Sequence, residues 1–183
     1  STEDGLDLLM QVNYFGPFLL THLLIDLLKK SAPSRIVFTS SAAAFFGDFD
    51  SNDPFSTTSN SYRNSKLATI MASDIFAKKL KCARVTSNSL HPGAVLTKIV
   101  NNVGKTVLMM LQICIVFFGK SVWEGAQTTT HLAVSEELDD VTGEHFWDCR
   151  RFLKPRRAYD GKLCQKIWEL SENYVKLLPH EKI

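Results

Sequence analysis

The sequence has 183 residues, of which 45% are hydrophobic and 22% are charged, and its formal net charge is +2. These proportions are those of a globular protein, and a chain of this length can bury a sizeable core. A small net charge without a basic stripe argues against a nucleic-acid partner. The four cysteines are widely spaced and form no C-x-x-C pair. This argues against a metal site or a disulfide framework and suits a reducing compartment.

Residues 1–34 predict one long helix. Acidic residues stand near its start and two lysines near its end, an arrangement that suits the helix dipole. Its apolar positions are dense, so we expect the helix to be largely buried. Pro17 lies inside it, lacks a backbone N–H and collides with the carbonyl four residues back, which belongs to Asn13. We therefore expect a kink near Asn13.

The rest of the chain alternates helices with short apolar strands. The predicted elements are a buried strand over 35–39, a helix over 61–79, a strand over 83–91, a helix over 121–135, a strand over 143–147 and an amphipathic helix over 162–178. The last helix is expected to bury the face of Leu163, Ile167, Leu170, Tyr174 and Leu177. This alternation predicts an α/β fold with a parallel sheet of about three strands. No repeat or linker divides residues 1–183, which we expect to form a single domain.

Two further segments leave alternatives open. The apolar run from Val107 to Phe118 is shorter than the roughly 20 residues that cross a bilayer. It predicts a buried or substrate-covering helix, the alternative being contact with a membrane surface. The basic cluster from Arg150 to Arg157 is interpreted as a solvated loop. Its alternative is contact with anionic lipid headgroups or with a cofactor phosphate.

Tyr62 and Lys66 stand four residues apart at the start of the predicted helix over 61–79. Residues at this spacing lie on one helix face, so the Lys66 ammonium would lie near the Tyr62 phenol. A nearby cation favours the phenolate, which lets a tyrosine act as a general acid or base near neutral pH. The spacing alone also arises by chance, so the pair needs support from other residues.

Polar and turn-forming residues follow both predicted central strands. Ser40 and Ser41 come directly after the strand over 35–39, at the edge where open α/β sheets bind ligands. A serine there can hydrogen-bond a substrate oxygen, the alternative being a turn or a helix cap. Pro92-Gly93 ends the next strand, and Thr97 then caps a helix or holds a ligand.

Asn13 is a polar residue within an apolar helix, so it needs a hydrogen-bond partner. Pro17 supplies a physical reason for its position, because it frees the Asn13 carbonyl from the helix ladder. A freed carbonyl can hold a water molecule, and that water could connect toward Lys66.

Taken in order, these elements resemble the pattern of the short-chain dehydrogenase/reductase family. The pattern consists of the asparagine of VNYFG, the serine of RIVFTSSAAA, the Y-x-x-x-K of YRNSK, and HPG followed by a threonine. Within the family the chain is most similar to the retinol dehydrogenase branch, through its opening helix and through NSKLA, LHPG, EGAQTTTHLA and TGEHFWDC. The resemblance covers nearly the whole chain and implies part of a Rossmann-type, doubly wound parallel sheet with flanking helices.

The resemblance implies a role for each residue of the pattern. Tyr62 would protonate a carbonyl oxygen or deprotonate an alcohol, and Lys66 would assist it and bind the nicotinamide ribose. Ser41 would orient the substrate oxygen and stabilise developing negative charge. Asn13 would hold the water of a proton relay. The cofactor-binding residues would be Tyr62, Lys66, Pro92, Gly93 and Thr97, and the hydride belongs to the cofactor.

The family's glycine-rich turn, which cradles the cofactor pyrophosphate, has no counterpart among the nine glycines, since neither G-x-G nor T-G-x-x-x-G occurs. We therefore expect residues 1–183 to be the catalytic and substrate-binding portion of a longer enzyme, inactive without the nucleotide-binding part. The branch resemblance favours NADP(H) over NAD(H). It also implies an endoplasmic reticulum membrane or mitochondrial location, with the cytoplasm as the alternative, and a homo-oligomer.

The resemblance further implies a lipophilic alcohol or carbonyl substrate, such as a retinoid. The side chains expected to suit such a substrate, or else to pack in the core, are Phe45, Phe46, Leu108, Met109, Phe117 and Phe118. An alternative from another class is a catalytically inactive remnant that acts as an interaction module through its long helices.

Overall fold

The computed structural model describes residues 2–3, 5–50, 53–55, 60–95 and 119–183. In chain order its main elements are α1 (Leu8–Met10), a π-helical turn (Gln11–Phe15), α2 (Gly16–Lys30), β1 (Ser34–Thr39), a 3₁₀ turn (Ala42–Phe46), α3 (Ser61–Leu80), β2 (Val85–His91), α4 (Val122–Val134), β3 (His145–Trp147), β4 (Arg150–Phe152), a second 3₁₀ turn (Arg156–Tyr159) and α5 (Gly161–Tyr174).

The sheet has four strands in the order β1-β2-β3-β4. The first three run parallel, and β4 pairs antiparallel with β3 at the edge. This confirms the predicted α/β fold, and each of the three predicted strands is present. The register pairs Thr39 with Leu90, so the carboxyl ends of β1 and β2 lie side by side. Polar residues that follow these two strands are thereby brought to one edge of the sheet.

β4 was not predicted, because the basic cluster that contains it was interpreted as a solvated loop. A tight turn at Asp148 and Cys149, both with positive φ, reverses the chain after β3. Such turns usually carry Asn-Gly or Asp-Gly, and Asp148-Cys149 is neither, so no local signal predicted a hairpin. The Cys149 N–H donates to the Thr128 hydroxyl at 3.2 Å, and Lys120 forms an ion pair with Asp148. Contacts from distant residues therefore hold this hairpin.

The first helix is irregular where the sequence predicted a kink. The Gly16 N–H bonds to the Gln11 carbonyl, five residues back, which makes Gln11–Phe15 a π-helical turn. It lies directly before Pro17, which cannot donate a backbone hydrogen bond, so the expected irregularity takes the form of a widened turn.

The expectation that this helix is largely buried was wrong. Tyr14, Phe18 and Ile25 lie in the core, while the opposite face exposes Leu20, Leu23, Leu24 and Leu27. The mean hydropathy of 1.4 over Leu8–Lys30 also fits a membrane span, but core helices of soluble proteins share that property. Dense leucines show that a helix is apolar without showing which of its faces is covered.

α3 is the central helix, buried on nearly every face. Its Phe76 packs against Trp168 of α5 at 4.8 Å and against Phe38 of β1 at 5.8 Å, measured between ring centroids. The predicted buried face of the last helix is correct for Ile167 and Leu177 and wrong for Tyr174, which is 41% exposed. Trp168, which was not assigned to that face, is buried. α5 and β1 thus fix the position of α3 from two directions.

A polar column runs between α3 and the sheet. Ser73 of α3 and Ser87 of β2 share a hydrogen bond at 3.1 Å, and Ser89 bonds to Nδ1 of His145 at 2.9 Å. His91 and His145 are both buried. Burial lowers the pKa of each of these two imidazoles to about 4, so both are neutral at physiological pH.

The buried imidazole of His145 should make the chain less stable in mild acid. Its pKa of about 4 in the fold lies below the ordinary value of 6.5, so the unfolded chain binds the proton more tightly. Stability is complete above pH 6.5 and is lost as the pH falls toward 4, by about 2 kcal/mol at pH 5 for one histidine. His145→Asn should remove about this much of the difference in unfolding free energy between pH 7 and pH 5, measured by urea titration.

His180→Asn is the matched control, because His180 is exposed. It should leave the pH dependence as it is in the unsubstituted chain. A His145→Asn chain with an unchanged pH dependence would show that this imidazole is not held neutral by the fold.

Candidate active site

The first two turns of α3 place a phenol beside an ammonium. The Lys66 Nζ lies 5.9 Å from the centroid of the Tyr62 ring and donates a hydrogen bond of 3.2 Å to the Thr39 carbonyl. Burial lowers the pKa of Lys66. Tyr62 is 41% exposed, so a ligand can reach its hydroxyl. The pair therefore lies at the carboxyl end of β1 with its phenol open to solvent.

Ser40 joins the end of β1 to both α3 and β2 through hydrogen bonds. Its buried hydroxyl donates to the Lys66 carbonyl at 2.7 Å, and its N–H donates to the Leu90 carbonyl of β2 at 2.7 Å. With the bond from Lys66 to Thr39, the strand and the helix are joined twice within one turn. This pair of bonds sets the distance between the sheet edge and the Tyr62–Lys66 pair.

Ser41 begins the 3₁₀ turn Ala42–Phe46, and its Oγ accepts a hydrogen bond of 3.2 Å from the Ala43 N–H. The helix cap that the sequence left as an alternative is therefore present. Accepting this bond leaves the hydroxyl hydrogen of Ser41 able to donate to a ligand. Its predicted contact with substrate stays a prediction.

Asn13 lies in the π-helical turn and is half-buried. Its side-chain amide donates to the Ser65 hydroxyl at 3.3 Å, and that hydroxyl donates to the Tyr62 carbonyl at 2.8 Å. The π-helical turn is thereby tied to the first turn of α3. The predicted water on the Asn13 carbonyl stays a prediction.

The turn after β2 brings a second lysine to the site. Gly93 has a φ of +89°, and a Cβ there would lie only 2.8 Å from Cδ of Lys120. The Lys120 N–H donates to the Ala94 carbonyl at 2.8 Å, and Val95 pairs with Lys120 in a parallel bridge. The backbone conformation favours a glycine here, whereas the end of the Lys120 side chain is flexible and could move aside.

Thr97 lies outside the described residues, and so do four of the side chains expected to suit an apolar substrate: Leu108, Met109, Phe117 and Phe118. Phe45 and Phe46 are described, and they are 39% and 71% exposed. The alternative that these two pack in the core is therefore wrong.

Sequence reasoning missed three residues around the site. The Asn64 side chain accepts from the Asp48 N–H at 2.9 Å and donates to the Asp48 carbonyl at 3.1 Å, which pins the loop after Phe46 to α3. A polar amide between Tyr62 and Lys66 was a usable signal for it. Lys120 and Trp147 are distant from the other site residues in sequence, and the fold brings them nearby. The ring centroids of Trp147 and His91 lie 4.8 Å apart. Nothing local in the sequence marks either of them.

Ser41 follows β1 and Pro92-Gly93 follows β2 at the carboxyl edge of the sheet, Lys66 reaches the same edge through Thr39, and Asn13 is joined to α3 through Ser65. An exposed phenol, an adjacent ammonium and a serine hydroxyl form a set that can move a proton to or from the oxygen of a ligand. The Lys66 ammonium has three N–H donors and uses one on Thr39, so it can also bind ligand hydroxyls.

Comparison with known proteins identifies the family. The short chain dehydrogenase family model matches residues 1–108. Human retinol dehydrogenase 14 is 41% identical over 97% of this chain and 54% of its own length. Bovine retinol dehydrogenase 12 is 37% identical over 93% of this chain and 54% of its own length. The chain thus spans about half the length of these curated relatives.

Two solved structures share the fold, each with a TM-score of 0.56. One is the halohydrin dehalogenase HheC bound to ethyl (2S)-oxiran-2-ylacetate, 18% identical, matched over 80% of this chain and 61% of its own. The other is a 3-oxoacyl-[acyl-carrier protein] reductase from Brucella melitensis, 23% identical, matched over 73% of this chain and 47% of its own. They support the Rossmann-type architecture. The predicted resemblance is thus confirmed: the chain belongs to the short chain dehydrogenase family and is retinol dehydrogenase-like.

Proposed function

We propose that this chain is the catalytic and substrate-binding part of an NAD(P)-dependent oxidoreductase that interconverts an alcohol and a carbonyl on a lipophilic, retinoid-like substrate. The observation that carries the proposal is the Tyr62–Lys66 pair at the carboxyl edge of the sheet. Similarity to proteins named retinol dehydrogenases supports the substrate class.

The donors at the site fit the nicotinamide end of such a cofactor. Lys66 has N–H donors to spare for the ribose hydroxyls, and Tyr62 is open to solvent beside it. Pro92, Gly93 and Thr97 would border the nicotinamide. When bound, the cofactor supplies or accepts the hydride.

Tyr62 is the proposed acid and base. During reduction its hydroxyl gives a proton to the substrate oxygen as that oxygen gains negative charge, and during oxidation the phenolate takes the proton back. The positive charge of Lys66 stabilises the phenolate that remains. The Ser41 hydroxyl donates to the same substrate oxygen and holds it within reach of Tyr62. Asn13 holds a water that returns protons toward Lys66.

The finer properties of the enzyme follow from similarity to the branch alone. We favour NADP(H) over NAD(H), a homo-oligomer, and a location at the endoplasmic reticulum membrane or in the mitochondrion. Parallel assays with both cofactors, sedimentation of the purified protein and fractionation of cells decide these three points separately.

An inactive interaction module is a second candidate function. It draws on the face of α2 that exposes Leu20, Leu23, Leu24 and Leu27. Apolar patches of this kind often mark protein contacts. If the chain is part of an enzyme, removal of the Tyr62 hydroxyl changes its turnover. If it is an inactive interaction module, there is no turnover for that substitution to change.

Tyr62→Phe should lower kcat by about 100-fold or more, because it removes the proton donor and keeps the ring. The measurement is NADPH-dependent reduction of all-trans-retinal by the full-length protein that contains this chain. Tyr174→Phe is the matched control, since Tyr174 is also 41% exposed and loses the same hydroxyl. Equal activity of both variants and the unsubstituted enzyme would exclude Tyr62 as the acid.

Ser41→Ala should lower kcat/KM for the same reaction by about 100-fold, through loss of the hydrogen bond to the developing oxyanion. Asp160→Ala is its control, because the Asp160 side chain also caps a helix, α5, whose first turn lies outside the residues assigned to the site. Both substitutions should cost about 1 kcal/mol of stability as lost caps. Only Ser41→Ala should lose turnover; if both variants keep it, Ser41 serves as a cap alone.

A further inference from the structure

A surface beside the active site combines exposed aromatic rings with arginines, and we call it the aromatic–basic surface. Its apolar side chains are Phe45, Phe46, Trp147, Phe152 and Leu153. Its basic side chains are Arg150, Arg151, Arg156 and Arg157. The first group comes from the 3₁₀ turn after Ser41 and from the β3–β4 hairpin, the second from that hairpin and the 3₁₀ turn before α5.

The rings of Trp147, Phe152 and Phe45 form one continuous row, and Phe46 and Leu153 are their neighbours in the chain. Ring centroids lie 4.8 Å apart for Trp147 and Phe152 and 6.1 Å apart for Phe152 and Phe45. Phe46 and Leu153 are 71% and 72% exposed. Large apolar side chains grouped at a surface in this way mark a site of contact with another apolar phase or molecule.

The surface carries charges of both signs: four arginines come from the hairpin and the turn before α5, and Asp48, Asp50 and Asp53 follow Phe46 in the chain. Arg157 pairs with Asp48, two residues beyond Phe46, and the Arg151 guanidinium lies 4.0 Å from a carboxylate oxygen of Glu144. Arg150 and Arg156 have no ion pair within the part of the chain that the structure describes. The Asp148 carboxylate is already paired with Lys120. Among the described residues, Arg150 of the hairpin and Arg156 of the turn before α5 are therefore the arginines of this surface without a carboxylate partner.

The arginines argue against a protein strand or a second copy as the occupant. β4 is an edge strand whose three residues are all exposed, and charged side chains on such an edge discourage pairing with another strand. Two copies of the surface would bring two sets of arginines together. Aromatic rings beside basic side chains instead suit the boundary between anionic headgroups and acyl chains.

We propose that the aromatic–basic surface docks on an anionic phospholipid membrane, with the aromatic rings in the boundary layer and the arginines on the headgroups. The patch adjoins the active site, since Trp147 packs on His91 and Phe45 follows Ser41. If the proposed function holds, a lipophilic substrate reaches Tyr62 from the lipid without crossing water. Vesicle binding is measured without turnover. Loss of vesicle binding would therefore refute docking alone, and loss of turnover would refute the proposed function alone.

The test is flotation of the 183-residue chain with lipid vesicles through a density gradient, which separates bound protein from aggregates. Vesicles contain either phosphatidylcholine alone or phosphatidylcholine with about 30% phosphatidylserine, an anionic lipid. We expect at least roughly tenfold tighter binding to the anionic vesicles, weakened by added salt. Arg150→Gln/Arg156→Gln should reduce that binding by about fivefold for each arginine.

Lys29→Gln/Lys30→Gln is the matched control, because it removes the same charge from the end of α2, at the opposite end of β1. It should bind as the unsubstituted chain does. Phe46→Ser/Phe152→Ser should weaken binding to both kinds of vesicle, and Leu27→Ser on α2 is its control. If the phenylalanine variant does not fold, as judged by its thermal transition, the arginine variant alone carries the test.

Three results would overturn the proposal. They are equal binding to neutral and anionic vesicles, equal loss of binding in the two charge variants, and vesicle binding that the arginine variant leaves unchanged. Self-association that disappears in Phe46→Ser/Phe152→Ser, without an effect on flotation, would assign the surface to a second copy of the chain instead.

Discussion

The bond from the Ser40 hydroxyl to the Lys66 carbonyl is the contact on which the site depends. It joins the residue that directly follows β1 to the second turn of α3. The Lys66 ammonium in turn donates a hydrogen bond to the Thr39 carbonyl. Because the two bonds run in opposite directions between the same two elements, neither sliding nor rotation of α3 is compatible with both. The phenol of Tyr62, one turn earlier, is positioned as a consequence.

Residues of the core stabilise the contact between Ser40 and Lys66. Phe76 and Trp168 hold α3 against the sheet, and a column of serine hydroxyls and neutral imidazoles fills the narrower gap near β2. The hydrogen bond between Ser73 and Ser87 joins α3 to β2 in this gap and helps to fix the register between helix and strand. The placement of the Tyr62–Lys66 pair therefore depends on buried residues that lie away from the exposed phenol.

The sequence predicted those parts of the molecule that depend on neighbours along the chain. The parallel strands follow from short apolar runs between helices, and the proximity of Tyr62 and Lys66 follows from a four-residue spacing. The exposed leucines of α2 and the hairpin at Asp148 could not be predicted in this way, because each depends on which distant residues are present to cover or hold it. The contact between Gly93 and Lys120 also depends on residues distant in sequence, and nothing in the sequence around either residue predicts it.

The bridge between Val95 and Lys120 closes the chain on itself beside Gly93. Val95 and Lys120, described residues on either side of the segment between them, are therefore held side by side. Substitutions, insertions or deletions between those two ends need not disturb the geometry of Tyr62 and Lys66. The placement of the Tyr62–Lys66 pair is in this sense modular, independent of the sequence that lies between Val95 and Lys120.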